Sequence, residues 1–186
     1  MWSGDRRSLL LAAACGVSST LLSRRAHATV VRGLTLPLLA RQSSFVLVGS
    51  ARDSSSRFIS LPGSRRIVTD VRIRVEEPLL GSPVDTRVVR VLGGRVGSSA
   101  EFVEGQAEFE FDSRCVLFLR AEQHGVHWVS GMAQGHYPLR QANEGGERLA
   151  PSPRLPEILQ FENSAVRQLS GRTLSELRSW LRGAAP

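Results

Sequence analysis

Apolar and polar positions alternate in short blocks along most of this chain. The clearest block is residues 67–76, where Val71, Ile73 and Val75 alternate with Arg72, Arg74 and Glu76. A period of two puts one set on a buried face and the other in water, which predicts a half-buried strand. Pro78 ends it, and Leu79-Leu80-Gly81 predicts a corner that tucks leucines under a sheet. Residues 45–50 predict an earlier strand. Asp53 and Ser54-Ser55-Ser56 predict a turn, and residues 58–61 the start of another strand. Residues 86–92 follow, ended by Gly93-Gly94, then a polar loop over 97–105. Glu108-Phe109-Glu110-Phe111 alternates again. Residues 114–120 are almost continuously apolar, the pattern of a strand buried on both faces. Residues 126–130 and 132–139 complete the series.

Gly, Ser or Pro separates these blocks, and no long amphipathic helix lies among them. The pattern predicts a mainly β fold: a small closed or partly open β-barrel of OB-like type, closure being one solution to exposed strand edges. Thr35, as N-cap with Pro37 in the first turn, predicts a short helix over 36–42 ahead of the barrel. At the other end, Thr173-Leu174-Ser175-Glu176 forms a capping box. Leu174, Leu177, Trp180 and Leu181 then share one helix face, and Gly183 closes it. So short a helix is marginal in isolation. It is expected to dock on its own barrel with Trp180 largely buried. Gly145, Gly146, Pro151, Pro153 and Pro156 make 141–156 read as a linker. The expected organisation is a signal peptide over 1–28, a barrel domain over 29–140, the linker, and a helical tail over 157–186.

The first residues set the compartment. Arg6-Arg7, a short apolar centre and the Ala26-His27-Ala28 end have the form of an export signal cleaved after Ala28. Arg6-Arg7 followed by a polar residue and leucines resembles a twin-arginine signal; general secretion is the alternative. A lipid attachment at Cys15 fits less well, because the apolar stretch before it is too short. The expected location is the periplasm or the exterior of a bacterium, with no transmembrane span in the mature chain. The formal net charge is +7, and all 24 basic residues are Arg. Removing the signal leaves 20 arginines against 16 acids, a charge of +4. Arginines alternate with acids along the strands instead of clustering, which argues against a nucleic-acid partner. Cys115 is then the sole cysteine, so no internal disulfide is expected, and its apolar run predicts a buried thiol.

Three runs carry a family resemblance. They are residues 69–81, ending in Pro78-Leu79-Leu80-Gly81; residues 91–97, with Gly93-Gly94; and residues 129–135, with Gln134-Gly135. Together with the helix at Leu36 and the strand at Phe45, they resemble a group of uncharacterised exported bacterial proteins with no assigned activity. The order of elements is also similar to the netrin-like, OB-type barrel of the tissue inhibitors of metalloproteinases. That resemblance implies a short helix before a β-barrel. It does not carry over the inhibitory mechanism, which needs an N-terminal Cys and disulfides that this chain lacks.

Candidate chemistry is sparse. His124, His127 and His136 are the best metal candidates, since neutral imidazole suits zinc or copper and a hairpin could gather them. Gly93-Gly94 reads as a turn, not a phosphate loop, because no helix follows. Ser130, His127 and Asp70 could be assembled into a triad on paper, with nothing to place a nucleophile elbow. Gln134-Gly135 inside a strand predicts a bulge, or else a binding edge with Trp128, Gln134 and Tyr137 as contacts. The leading expectation is an exported, non-enzymatic binding module acting on another envelope or secreted protein, a protease among the candidates, without a cofactor. The alternative is a small exported metal-binding protein or hydrolase using His124, His127 and His136.

Overall fold

The computed structural model describes residues 30–61, 63–143 and 145–184. The expected signal residues Arg6, Arg7, Ala26 and Ala28, and the expected first mature residue Thr29, lie outside them. Among the described residues the fold is mainly β, with 49% in strands, three helices and a seven-stranded sheet. Its spine is a long hairpin of β2 (Phe45–Leu61) and β3 (Ser64–Leu80). The sequence predicts a turn at Ser54-Ser55-Ser56, but these serines continue β2, opposite Val71, Asp70 and Thr69 of β3. Small polar side chains suit this exposed ribbon, and register shifts between Val46 and Asp53 absorb the irregular pairing.

In chain order the remaining strands are β1 (Val30–Arg32), β4 (Thr86–Leu92), β5 (Gly94–Val96), β6 (Ser99–Glu101), β7 (Arg114–Leu119), β8 (His127–Trp128), β9 (His136–Gln141), β10 (Glu147–Leu149) and β11 (Glu157–Leu159). The main sheet runs β10-β9-β7-β2-β3-β4-β8, with β4 and β8 parallel. Separate pairs join β1 to β11 and β5 to β6. The paired strands do not form a closed ladder. Beyond the sheet order, β7 meets the β8 segment at one bridge, Leu119 to Val129. It is flanked by Arg120 N–H to the Trp128 carbonyl at 2.9 Å and Ser130 N–H to the Phe118 carbonyl at 2.8 Å.

Central strands bury both faces, as the apolar run at 114–120 predicts. Val46, Val48, Val116, Phe118, Tyr137 and Leu139 face three helices: α1 (Leu36–Arg41), α2 (Ala165–Leu169) and α3 (Leu174–Ala184). Leu47, Ala51, Ile73, Val89, Cys115, Leu117 and Leu119 pack together on the other side. The stretch read as a linker holds β10, paired antiparallel to β9, and its Leu149 is buried in the helical-side core. Among the described residues, no helix is long and apolar enough to cross a membrane.

The tail helix is anchored at several points. Both arms of its capping box form: Glu176 N–H donates to Thr173 Oγ1 at 3.2 Å, and Thr173 N–H donates to the Glu176 carboxylate at 2.7 Å. That backbone donor, with Arg172 beside it, holds the Glu176 carboxyl down at about 2. Leu177 and Leu181 are buried in the core, and Arg178 grips both oxygens of Glu77 on β3 at 2.7 and 2.6 Å. Trp180, partly buried, packs at the edge of the cluster.

Tyr137 offers a test of the core. It is fully buried, edge-on to Phe118 with ring centroids 6.0 Å apart, and among the described residues its Oη has no hydrogen-bond partner. A buried hydroxyl without a partner keeps its desolvation penalty. Tyr137→Phe is therefore expected to raise stability by about 1 kcal/mol, a rise in Tm of roughly 2–4 °C. A lower Tm in the variant would show that the hydroxyl is satisfied.

Candidate functional site

The three histidines occupy separate environments. His127 lies buried on β8 with both ring nitrogens engaged. Nδ1 is 3.0 Å from the Arg120 carbonyl and Nε2 is 3.0 Å from Arg87 Nη1. A carbonyl can only accept and a guanidinium can only donate, so Nδ1 carries the hydrogen and the Nε2 lone pair is occupied. The Arg87 guanidinium also lies over the Phe45 ring at 3.7 Å. His136, on β9, is buried with Nδ1 3.0 Å from Ser152 Oγ and its ring tilted against Phe109. Burial, helped by the Arg140 charge, lowers its pKa to about 4. His124 is exposed in a turn at φ 53°. Among the described residues no group of three His, Cys, Asp or Glu side chains is placed to hold a metal ion.

The nucleophile candidates have structural roles. Cys115 is buried, its thiol directed at the Gly49 carbonyl at 3.5 Å, and desolvation pushes the thiol up to about 12. Ser130 is buried and bonded to Ser43 Oγ at 2.8 Å. Gly93-Gly94 turns β4 into β5 beside the hairpin, where a Cβ on Gly94 would collide with Thr69 and Ser56.

Gln134-Gly135 belongs to a 3-10 turn, Met132–Gly135, and not to the strand predicted there. Gln134 Oε1 accepts from Leu34 N–H at 2.8 Å and Nε2 donates to the Arg32 carbonyl at 3.1 Å. The side chain thus pins the segment after β1. Tyr137 points into the core, so only Trp128, half-buried on β8, reaches the surface among the three expected contacts.

The surface with the strongest binding character lies elsewhere. Residues 102–113, between β6 and β7, form no strand, although Glu108 to Phe111 alternate as one. Their carboxylates turn outward to arginines: Glu108 to Arg154 at 2.8 Å and Glu110 to Arg140 at 2.7 Å. Phe109 packs inward against the core. Phe111 bridges to Ala51 of β2, and Asp112 N–H donates to the Ala51 carbonyl at 2.9 Å. This loop walls a cleft of about 290 Å³ whose floor includes Thr69, Val71 and Val91 and whose rim carries Phe102 and Phe111. Phe102 is 68% exposed and Phe111 51%, and the Arg154 guanidinium sits 4.9 Å from the Phe102 ring. Apolar rings presented to water around an apolar floor are the usual material of a contact surface.

The cleft adjoins an open strand edge. β7 pairs with β2 only from Phe45 to Ser50. From Arg52 onward β2 has β3 on one side and, among the described residues, no strand on the other. Ser54, on that open stretch, lines the cleft. Sequence reasoning missed this site because 97–105 reads as a polar loop. The available signal was Phe102, an aromatic whose neighbours at strand spacing, Ala100 and Glu104, give it no large apolar partner for a core face.

A second groove, of about 500 Å³, runs between α3 and the α1–α2 pair. Its apolar lining, Leu36, Leu169 and Leu177, is already buried; only Trp180 is partly open, and Arg172 and Glu176 on its rim pair with each other. No protein-family model, curated protein or solved structure matches this chain.

Proposed function

We propose that the chain is an exported, non-enzymatic binding module on an OB-type barrel, and that it holds another exported protein in the Phe102–Phe111 cleft. The barrel reading is supported by the strand path β2-β3-β4-β8-β7 and back to β2. Every step but one is a ladder, and the Leu119–Val129 bridge makes that one. A parallel step between the third and fifth of these strands in chain order, with all others antiparallel, is an OB-type path. The signal-like pattern of residues 1–28 supports the compartment. The observation that carries the binding role is the exposed aromatic rim beside an open strand edge. The alternative metal or hydrolytic reading of His124, His127 and His136 has less support, since His127 spends both nitrogens on the protein itself.

The test uses a photo-crosslinking residue at position 111 to capture the partner in the exported fraction. The captured protein is then purified and titrated against the mature chain. Buried aromatic anchors commonly carry about 2 kcal/mol or more each. The doubly substituted Phe102→Ser/Phe111→Ser chain is therefore expected to bind at least tenfold more weakly. Equal affinity for wild type and variant would refute the cleft as the binding surface.

A further inference from the structure

We propose that the partner docks by adding a β-strand to the open edge of β2, through an extended segment in which acidic and apolar residues alternate. The inference rests on the protein-binding reading above and supplies its mode. Three observations carry it.

The first is the edge itself. Among the described residues, backbone groups of β2 beyond Arg52 have a strand partner on one side only, and an extended peptide can complete the other side with main-chain hydrogen bonds. The second is charge. Residues 52–66 include four arginines and one acid, Asp53; Arg52 pairs with Asp112 and Arg66 with Glu101, which leaves Arg57 and Arg65. Arg57, 54% exposed, reaches Asp70 at 3.3 Å, but Arg90 already holds both oxygens of that carboxylate at 2.6 and 2.7 Å. Two guanidinium groups share one carboxylate, so this face of the ribbon keeps a surplus positive charge. On the other face, Arg65 stacks over Phe58 at 3.9 Å, and among the described residues no carboxylate lies within ion-pair distance of it. The third is the alternation of faces. Ser55 and Arg57 share one face of the ribbon with Asp70. Ser54 and Ser56 share the other with Val71 and Thr69, the floor of the aromatic cleft. Side chains directly opposite across a strand pair lie on the same face, about 4.5–5.5 Å apart. An added strand therefore sets alternate residues against Arg57 and against Phe111. The first set is best acidic and the second apolar.

The probe is a short synthetic peptide of alternating Glu and Val, compared with one of alternating Lys and Val. Backbone amide shifts of the mature chain are followed by NMR during titration to the millimolar range. The Glu-Val peptide is expected to move signals confined to residues 53–60 and 109–112, with the Lys-Val peptide at least tenfold weaker. Arg57→Glu should reverse that preference, and Arg57→Gln should abolish it without reversal. No response at the β2 edge, or equal response to both peptides, would overturn strand addition. So would concentration-dependent self-association that perturbs the same amides without peptide, since a second copy would then be the occupant. Loss of partner affinity in Phe102→Ser/Phe111→Ser with a silent β2 edge would overturn the strand mode alone. Unchanged partner affinity in that variant would overturn the underlying cleft reading.

Discussion

Leu177→Ala is expected to lower the stability of the chain by about 3 kcal/mol, or roughly 6–12 °C in Tm. The side chain is 1% exposed, and it fills the core shared by α1, α2 and the sheet face that carries Phe118 and Tyr137. Removing a buried leucine loses its transfer free energy and leaves a cavity that the sheet cannot collapse to fill. Thr173→Ala, which removes one arm of the capping box, should cost about 1 kcal/mol. Trp180→Ala falls between the two, because its ring is only partly buried at the edge of the core. Equilibrium urea unfolding of the three variants checks the order. An unchanged midpoint for Leu177→Ala would mean that α3 does not dock on the sheet.

Acid should weaken the fold before its carboxylates titrate. His136 has its pKa lowered to about 4 by burial, against 6.5 for a free imidazole. Between those two values the unfolded chain binds a proton that the folded chain refuses. Stability is therefore full above about pH 6.5 and falls as pH drops towards the folded pKa. At 1.36 kcal/mol per pH unit, the loss reaches about 2 kcal/mol at about pH 5 and roughly 3 kcal/mol near pH 4. His136→Gln, which can keep a hydrogen bond to Ser152, should be insensitive over the same range. Unfolding midpoints at about pH 7 and pH 5 test this, because the lowered carboxyl groups of Asp70, Glu77 and Glu176 titrate below that window. An equal loss in wild type and His136→Gln would assign the acid sensitivity to other groups.

Much of the sheet is legible in the sequence, because its strands obey period two or are buried on both faces. Residues 71–76 and 114–120 behave as their patterns predict. The capping box at Thr173 and Glu176 forms bond for bond. Prediction failed where tertiary context overrides local preference. Three serines in a row suggest a turn, yet Ser54-Ser55-Ser56 continue a ribbon whose other strand supplies the partners. The glycines and prolines of 141–156 suggest a linker, yet Leu149 draws a short strand onto β9. Gln134 looks like a binding contact because a buried amide in a strand is unusual; its real partners, Leu34 and Arg32, lie a hundred residues away. The aromatic cleft was hidden for the same reason. Phe102 and Phe111 come together only through the loop that closes over β2 and β4, and no periodicity encodes that meeting.

The measurement that tests the central claim most directly is hydrogen exchange of the chain, alone and saturated with its captured partner. Strand addition at an aromatic cleft predicts new protection confined to residues 53–60 and 102–112, with the α3 groove around Leu36, Leu169 and Trp180 exchanging as before. Protection concentrated at that groove, with the β2 edge unchanged, would contradict the account and make the helical tail the binding surface.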